Sequence, residues 1–341
     1  MERRRLYSTY LRLARPSRER PRLPRQRQIR PRPYANVADL TNTVAASVSG
    51  LLRIGSTLRG RRYNVETSQH RARHRGMGNV HRRPSTPLSC ILFAGLLEHA
   101  SMLVLRSLIF AVLFYGFTAI SAVVATLISL VLPKKLAAFA GFWSRTWLAT
   151  YKNICGVSYE LRGKENIPLG GCILAIKHQS VWDTCALFAI FDRPVYVLKS
   201  ELMVIPFFGW ALSRLGCIPV KRGTGKRALD DMVRGTRIAL AQTKQVVIFP
   251  EGTRTMVGQV ASYKTGISHL YTALGVACVP VALNSGMLWP RRKFLRPPGL
   301  IIVQILPPIP PGLDRKEMFD QLVSSIEDVS QRLCRAGDVY P

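Results

Sequence analysis

Followed by its apolar positions, the chain changes character twice. Up to about residue 90 no apolar period is sustained. From residue 103 to 132 apolar residues dominate, and no charge falls between Arg106 and Lys134. An uncharged run of about 25 residues is long enough to span a bilayer with some tilt. Pro133-Lys134-Lys135 closes it with cations suited to a headgroup region. A buried helix in a large core is the competing reading. Upstream, the apolar stretch 91–97 is too short to span by itself. Phe142, Trp143 and Trp147 suit an interfacial aromatic belt or a core-facing stripe equally.

From about Tyr151 short apolar runs alternate with helically spaced ones. The runs predict strands over 157–161, 172–176, 195–198, 217–220, 246–249, 276–283 and 300–305. In 226–244 the residues Leu229, Met232, Val233, Thr236 and Leu240 recur at helical spacing. Residues 184–190 read as a helix, and 314–335 as a closing amphipathic helix after Pro310-Pro311-Gly312. Such alternation predicts an α/β domain, a central sheet layered between helices. The organisation expected is an Arg/Pro-rich tail over 1–90, membrane-associated helices over 91–150 and an α/β domain over 151–341.

Charge sharpens the division. The 341 residues carry a formal net charge of +30. Residues 1–90 hold about 20 Arg, no Lys and four acids, over half of that excess. Runs such as Arg20-Pro21-Arg22-Leu23-Pro24-Arg25 predict a largely disordered segment. Three readings compete for it: a solvated tail touching anionic lipid, an organelle transit peptide with unusually many prolines, or residues upstream of a true start at Met102. Nucleic acid is not an expected partner, because the basic run lacks interleaved aromatics. The seven cysteines, Cys90, Cys155, Cys172, Cys185, Cys217, Cys278 and Cys334, include no Cys-x-x-Cys pair. They read as reduced thiols in a domain on the cytoplasmic side. No metal site is expected, since neither His99, His178 nor His269 has cysteines at ligand spacing.

The chemistry-bearing stretch is Lys177-His178-Gln179-Ser180-Val181-Trp182-Asp183. It joins the apolar run Cys172-Ile173-Leu174-Ala175-Ile176 to a helical one. At a strand-to-helix junction one turn can bring Asp183 back to the imidazole. The carboxylate then holds one ring nitrogen and leaves the other free to take a proton. The plainer alternative is a first-turn acid near a helix dipole, with His178 in a loop. A second apolar run, Val246-Val247-Ile248-Phe249, ends in the polar turn Pro250-Glu251-Gly252-Thr253-Arg254. Two such turns at strand ends predict one site at the end of a sheet. Lys221-Arg222-Gly223-Thr224-Gly225-Lys226-Arg227 is not a nucleotide phosphate loop: Arg227 follows Gly-Lys, and Val220 stands at the leading Gly position.

The His-x4-Asp block and Phe249-Pro250-Glu251-Gly252-Thr253-Arg254 together resemble two signature blocks of the 1-acyl-sn-glycerol-3-phosphate acyltransferase family. Two more blocks match in order: Gly216-Cys217-Ile218-Pro219-Val220-Lys221-Arg222 and Val279-Pro280-Val281. The resemblance runs from about Met102 to the C-terminus. It implies a membrane-bound enzyme of phospholipid synthesis, on the cytoplasmic side of the inner membrane. Such an enzyme moves a fatty acyl group from acyl-CoA or acyl carrier protein to lysophosphatidate. It implies His178 as base and Asp183 as its orienting partner. It assigns Gly252, Thr253 and Arg254 to the acceptor phosphate, with Arg222 of the 216–222 block as a second cation; Lys199, at the end of a predicted strand, is a third candidate. Glu251 is expected to orient Arg254 or hold the turn, because a carboxylate repels a phosphate. Direct transfer is favoured over an acyl-enzyme, Ser180 being the one nearby nucleophile. No cofactor is expected beyond the acyl donor. The chain departs from the family in carrying Lys177 where many members have Asn, which places a charge in sequence beside the base. The membrane element is implied to embed in one leaflet or to cross. A different lysolipid acceptor is the nearest rival function. A non-catalytic protein acting through the Arg-rich tail is the rival from another class.

Overall fold

The computed structural model describes residues 88–335, Arg222, Thr224 and Val260 excepted. The Arg/Pro-rich stretch 1–87 and the role expected of Arg222 lie outside the described residues. Helix α1 runs Leu88–Val131 in 44 residues. Residues 88–90, expected to belong to the tail, and the short apolar stretch 91–97 are therefore continuous with the long apolar run. No helix breaker separates them, and Glu98 and His99 sit on the helix surface. Pro133, which cannot donate to a preceding turn, opens a 3-10 turn. Helix α2 (Leu136–Cys155) then returns along α1 and stops at Gly156, whose φ of 69° supplies the left-handed cap.

Seven strands follow in one sheet: β1 (Val157–Arg162), β2 (Cys172–Ile176), β3 (Pro194–Lys199), β4 (Ile218–Val220), β5 (Gln245–Ile248), β6 (Cys278–Leu283) and β7 (Gly299–Ile305). Their spatial order is β1-β7-β6-β2-β5-β3-β4. Strands β2 to β6 run parallel to one another; β7 is antiparallel to β6, and β1 is parallel to β7. Between them lie α3 (Trp182–Cys185), α4 (Leu187–Ile190), α5 (Phe208–Leu215), α6 (Lys226–Ala241) and α7 (Gly266–Leu274), and α8 (Arg315–Arg335) closes the chain. The single helix expected over 184–190 is two short ones.

Strand periodicity sorts the core into two layers. Leu174, Ile176, Val247 and Val279 pack with Phe110, Phe114, Trp147 and Tyr151 of α1 and α2. Ile173, Ala175, Val246 and Cys278 pack with residues of α6, α7 and α8. Trp147 is thus a core residue, whereas Phe142 points outward at 53% exposure. A proline removes a ladder donor, so a strand that holds one, as β6 holds Pro280, suits an edge or a bulge. It lies inside the sheet, and the bulge is there. The Pro280 carbonyl accepts from Leu306 just beyond the paired end of β7, and Cys278 pairs with Ile309. Between those two pairings the partner segment has one residue too many, so the absent N–H of proline falls where the ladder is already broken.

Candidate active site

The direction of two connections locates the site. After β2 the chain leaves toward β3; after β5, its neighbour, the chain leaves the other way toward β6. Adjacent parallel strands whose connections diverge open a crevice at their C-terminal ends. His178 follows β2 and Glu251 follows β5 at that crevice. Two backbone-level bonds join the turns: the Thr255 N–H donates to the His178 carbonyl at 2.8 Å, and the His178 N–H donates to Glu251 Oε1 at 3.1 Å.

The imidazole sits 3.1 Å through Nδ1 from Asp183 Oδ2, with the carboxylate fully buried and the ring 13% exposed. The same Oδ2 accepts the Gln179 N–H at 2.6 Å and the Ser180 N–H at 2.8 Å. This is the compact turn that the five-residue spacing suggested. The other oxygen, Oδ1, accepts from the Ser285 hydroxyl. Four donors therefore fix the carboxylate, and the carboxylate fixes the ring. Phe249 stacks on the imidazole at 4.0 Å with the planes 21° apart. One face of the base is thereby shielded, and Nε2 is the nitrogen left for a substrate proton.

Three contributors to this arrangement carried no signal in the sequence reading. Ser285 reaches Asp183 from the turn after β6, and Gln179 Oε1 accepts the Gly286 N–H at 3.0 Å from that same turn. Phe249 closes a predicted strand and opens a signature block, but neither reading gave it a role at the base. The neighbouring nucleophiles are otherwise engaged. Ser180 is buried and its oxygen accepts the Trp182 N–H at 3.0 Å. Burial pushes the Cys185 thiol up to about 12, which keeps it protonated and unreactive near neutrality. Among the described residues no three His, Cys, Asp or Glu gather at metal-ligand range.

The second turn is shaped by Gly252, at φ 68°, a conformation that favours glycine. Glu251 points into the protein. Its Oε1 lies 3.1 Å from Lys177 Nζ, and Lys177 Nζ lies 2.5 Å from Glu327 Oε1 on α8. Tyr263 donates to the same Glu327 oxygen at 2.8 Å. Burial raises the Glu251 carboxyl above the ordinary carboxylate range, although Lys177 pulls it down. Lys177 departs from the base because consecutive strand residues face opposite ways. His178 follows Leu174 and Ile176 toward the α1–α2 layer, and Lys177 follows Ile173 and Ala175 toward α8. The charge expected beside the base is thus turned to the other face and paired there with acids.

Thr253 is exposed and Arg254 half-buried at the crevice rim. The Arg254 carbonyl accepts from Arg291 Nη1 at 2.7 Å, which brings a cation that the sequence reading had not singled out. Lys199 stands at the end of β3, with β5 between it and β2, and pairs with Glu201 at 3.0 Å. The crevice therefore gathers His178, Asp183, Gly252, Thr253 and Arg254, and Lys199 lies one strand further out.

Residues 158–284 match the family model described as Acyltransferase. The match runs from β1 to β6 of the mixed sheet, with β7 beyond it and the long apolar helix before it. The more particular resemblance, to 1-acyl-sn-glycerol-3-phosphate acyltransferases, holds as well. The chain is 39% identical over 165 residues to the protein of that name from Pseudomonas aeruginosa, covering 48% of this chain and 64% of the relative. It is 30% identical over 169 residues to the alpha form from Homo sapiens, covering 49% and 60%. It is 27% identical over 219 residues to the protein from Saccharomyces cerevisiae, covering 63% and 70%. The chain thus spans less than two thirds of the Pseudomonas and human proteins. The fold is shared with the crystal structure of the 1-acyl-sn-glycerophosphate (LPA) acyltransferase PlsC from Thermotoga maritima, at TM-score 0.55 and 23% identity, over 67% of this chain and 94% of that one.

Proposed function

We propose that the protein acylates 1-acyl-glycerol-3-phosphate to phosphatidate with an acyl thioester, acyl-CoA or acyl carrier protein, at a membrane surface. The observation that carries this reading is the imidazole clamped by Asp183 and Phe249 with Nε2 free, beside a turn that presents Arg254. The relatives named for this reaction support it. The acceptor hydroxyl attacks the thioester carbonyl while His178 Nε2 takes its proton. The tetrahedral intermediate expels the thiolate, which recovers the proton from the imidazolium. Asp183 holds Nδ1–H and stabilises the imidazolium as it forms. Arg254, with the backbone of Gly252 and Thr253, receives the acceptor phosphate. Direct transfer needs no acyl-enzyme, in keeping with the engaged Ser180 and the raised Cys185 thiol. The apolar helix α1 holds the domain at the bilayer, with catalysis on the cytoplasmic side.

The discriminating assay offers the full chain a thioester and two lysolipids with the same acyl group, lysophosphatidate and lysophosphatidylcholine. The expected result is turnover of lysophosphatidate, with KM raised about tenfold or more in Arg254→Gln on loss of a charge-assisted bond. Turnover of lysophosphatidylcholine alone would reassign the acceptor. No turnover of either would reject acyl transfer to glycerolipids.

A further inference from the structure

A second cavity lies at the other end of the sheet. It occupies about 420 Å³ between the start of α2, the end of α4 and the end of α5. Pro194 and Lys244 line it where β3 and β5 begin, whereas His178 and Glu251 follow the ends of β2 and β5. The two sites are thus separated by the length of a strand, on the order of 15 Å.

Its lining is two-sided. Arg145, Arg193, Arg214 and Lys244 contribute cations from four different segments, against one carboxylate, Asp192. That carboxylate lies 3.9 Å from Arg193 in an exposed pair, which neutralises little. Lys244 donates to the Leu215 carbonyl at 3.3 Å, and among the described residues no acid pairs with it. The opposite wall is apolar, with Leu136, Phe188 and Phe191. Pro133 lines the cavity too, so it adjoins the junction where α1 ends and Lys134-Lys135 follow. The last turns of α1 expose Leu127, Leu130 and Val131 beside that junction, and Leu132 after them is exposed too. Helix α5 links the cavity to a second apolar surface. Its final turn supplies Arg214, and at its start Phe207 and Trp210 are exposed, with Thr126 of α1 bonded to the Phe207 carbonyl at 3.0 Å.

We propose that this cavity binds the phosphate headgroup of an anionic phospholipid from the surrounding bilayer. Clustered cations suit a phosphate. The apolar wall and the adjoining membrane helix suit the glycerol and first methylenes of a lipid, which inorganic phosphate lacks. The site is separate from the crevice holding His178, and its occupancy does not depend on acyl transfer.

The test uses the full chain in a neutral detergent and counts retained lipid by native mass spectrometry. Phosphatidylglycerol and phosphatidylcholine with identical acyl chains are offered separately. The expected result is preferential retention of phosphatidylglycerol. Retention should fall about fivefold for each cation neutralised in Arg145→Gln and in Arg145→Gln/Arg214→Gln, with lysophosphatidate turnover kept. Arg145 is exposed, so the single variant serves if the double one melts early. Equal retention of the two lipids by the unaltered chain, or unchanged phosphatidylglycerol retention in Arg145→Gln, would overturn the proposal. Binding of inorganic phosphate without any lipid preference would overturn the lipid assignment.

Discussion

Asp183 collects donors from two parts of the chain: His178 with the Gln179 and Ser180 amides, and Ser285. Three of these lie within five residues, and the His-x4-Asp spacing made them legible. Ser285 is 102 residues away, and a single serine after a buried strand has no local signature. Its removal leaves Asp183 Oδ1 without a buried donor. Ser285→Ala should lower kcat about tenfold with KM within about twofold, read by steady-state kinetics. Lys177 is the other residue whose surroundings were hidden, because Glu327 is 150 residues distant on an amphipathic helix. Lys177→Met leaves two acids facing each other, with Glu251 1% exposed. A loss of about 3–5 kcal/mol is expected in thermal or denaturant unfolding. Glu251 itself predicts a pH dependence. Burial raises its folded carboxyl above the ordinary value of 4.5, so the folded state binds the proton more tightly than the unfolded chain. Its contribution to stability is therefore greatest below 4.5 and falls as pH rises through the folded value. Glu251→Gln should flatten unfolding free energy across that window; an unchanged slope would show that the carboxyl is not shifted.

At the scale of elements, the apolar run, the seven strands and the closing helix were legible because each has its own period. Their joints were not. The continuity of α1 through Leu88 was concealed by Glu98 and His99, which a helix can place outward at little cost. The place of the β6 proline inside the sheet depended on pairings that no local pattern encodes. The division expected at residue 150 has a counterpart in chain order only, since Phe110 and Phe114 of α1 and Trp289 beyond β6 share one aromatic cluster. Phe110→Ala should therefore destabilise the domain by about 3–5 kcal/mol and not merely loosen α1. Detergent-solubilised protein would show this as a lowered melting temperature and faster proteolysis within the sheet domain. Unaltered melting would mean that α1 contributes nothing to the core.

For the molecule as a whole, the sheet order turns two distant motifs into one crevice. The switch between β2 and β5 is a property of topology, so four short blocks could indicate a common site without revealing how it closes. Helix α1 exposes apolar side chains from Met102 to Val131 on the faces that α2 and the sheet domain leave uncovered. The full chain should remain with membranes through an alkaline carbonate wash and be released by detergent. The central claim is that His178, held by Asp183, is the base. The direct measurement is thioester-dependent acylation of lysophosphatidate by the unaltered chain, His178→Ala and Asp183→Ala, each shown folded by its melting curve. The account predicts turnover that falls at least about a hundredfold in both variants. Turnover that survives His178→Ala would contradict it.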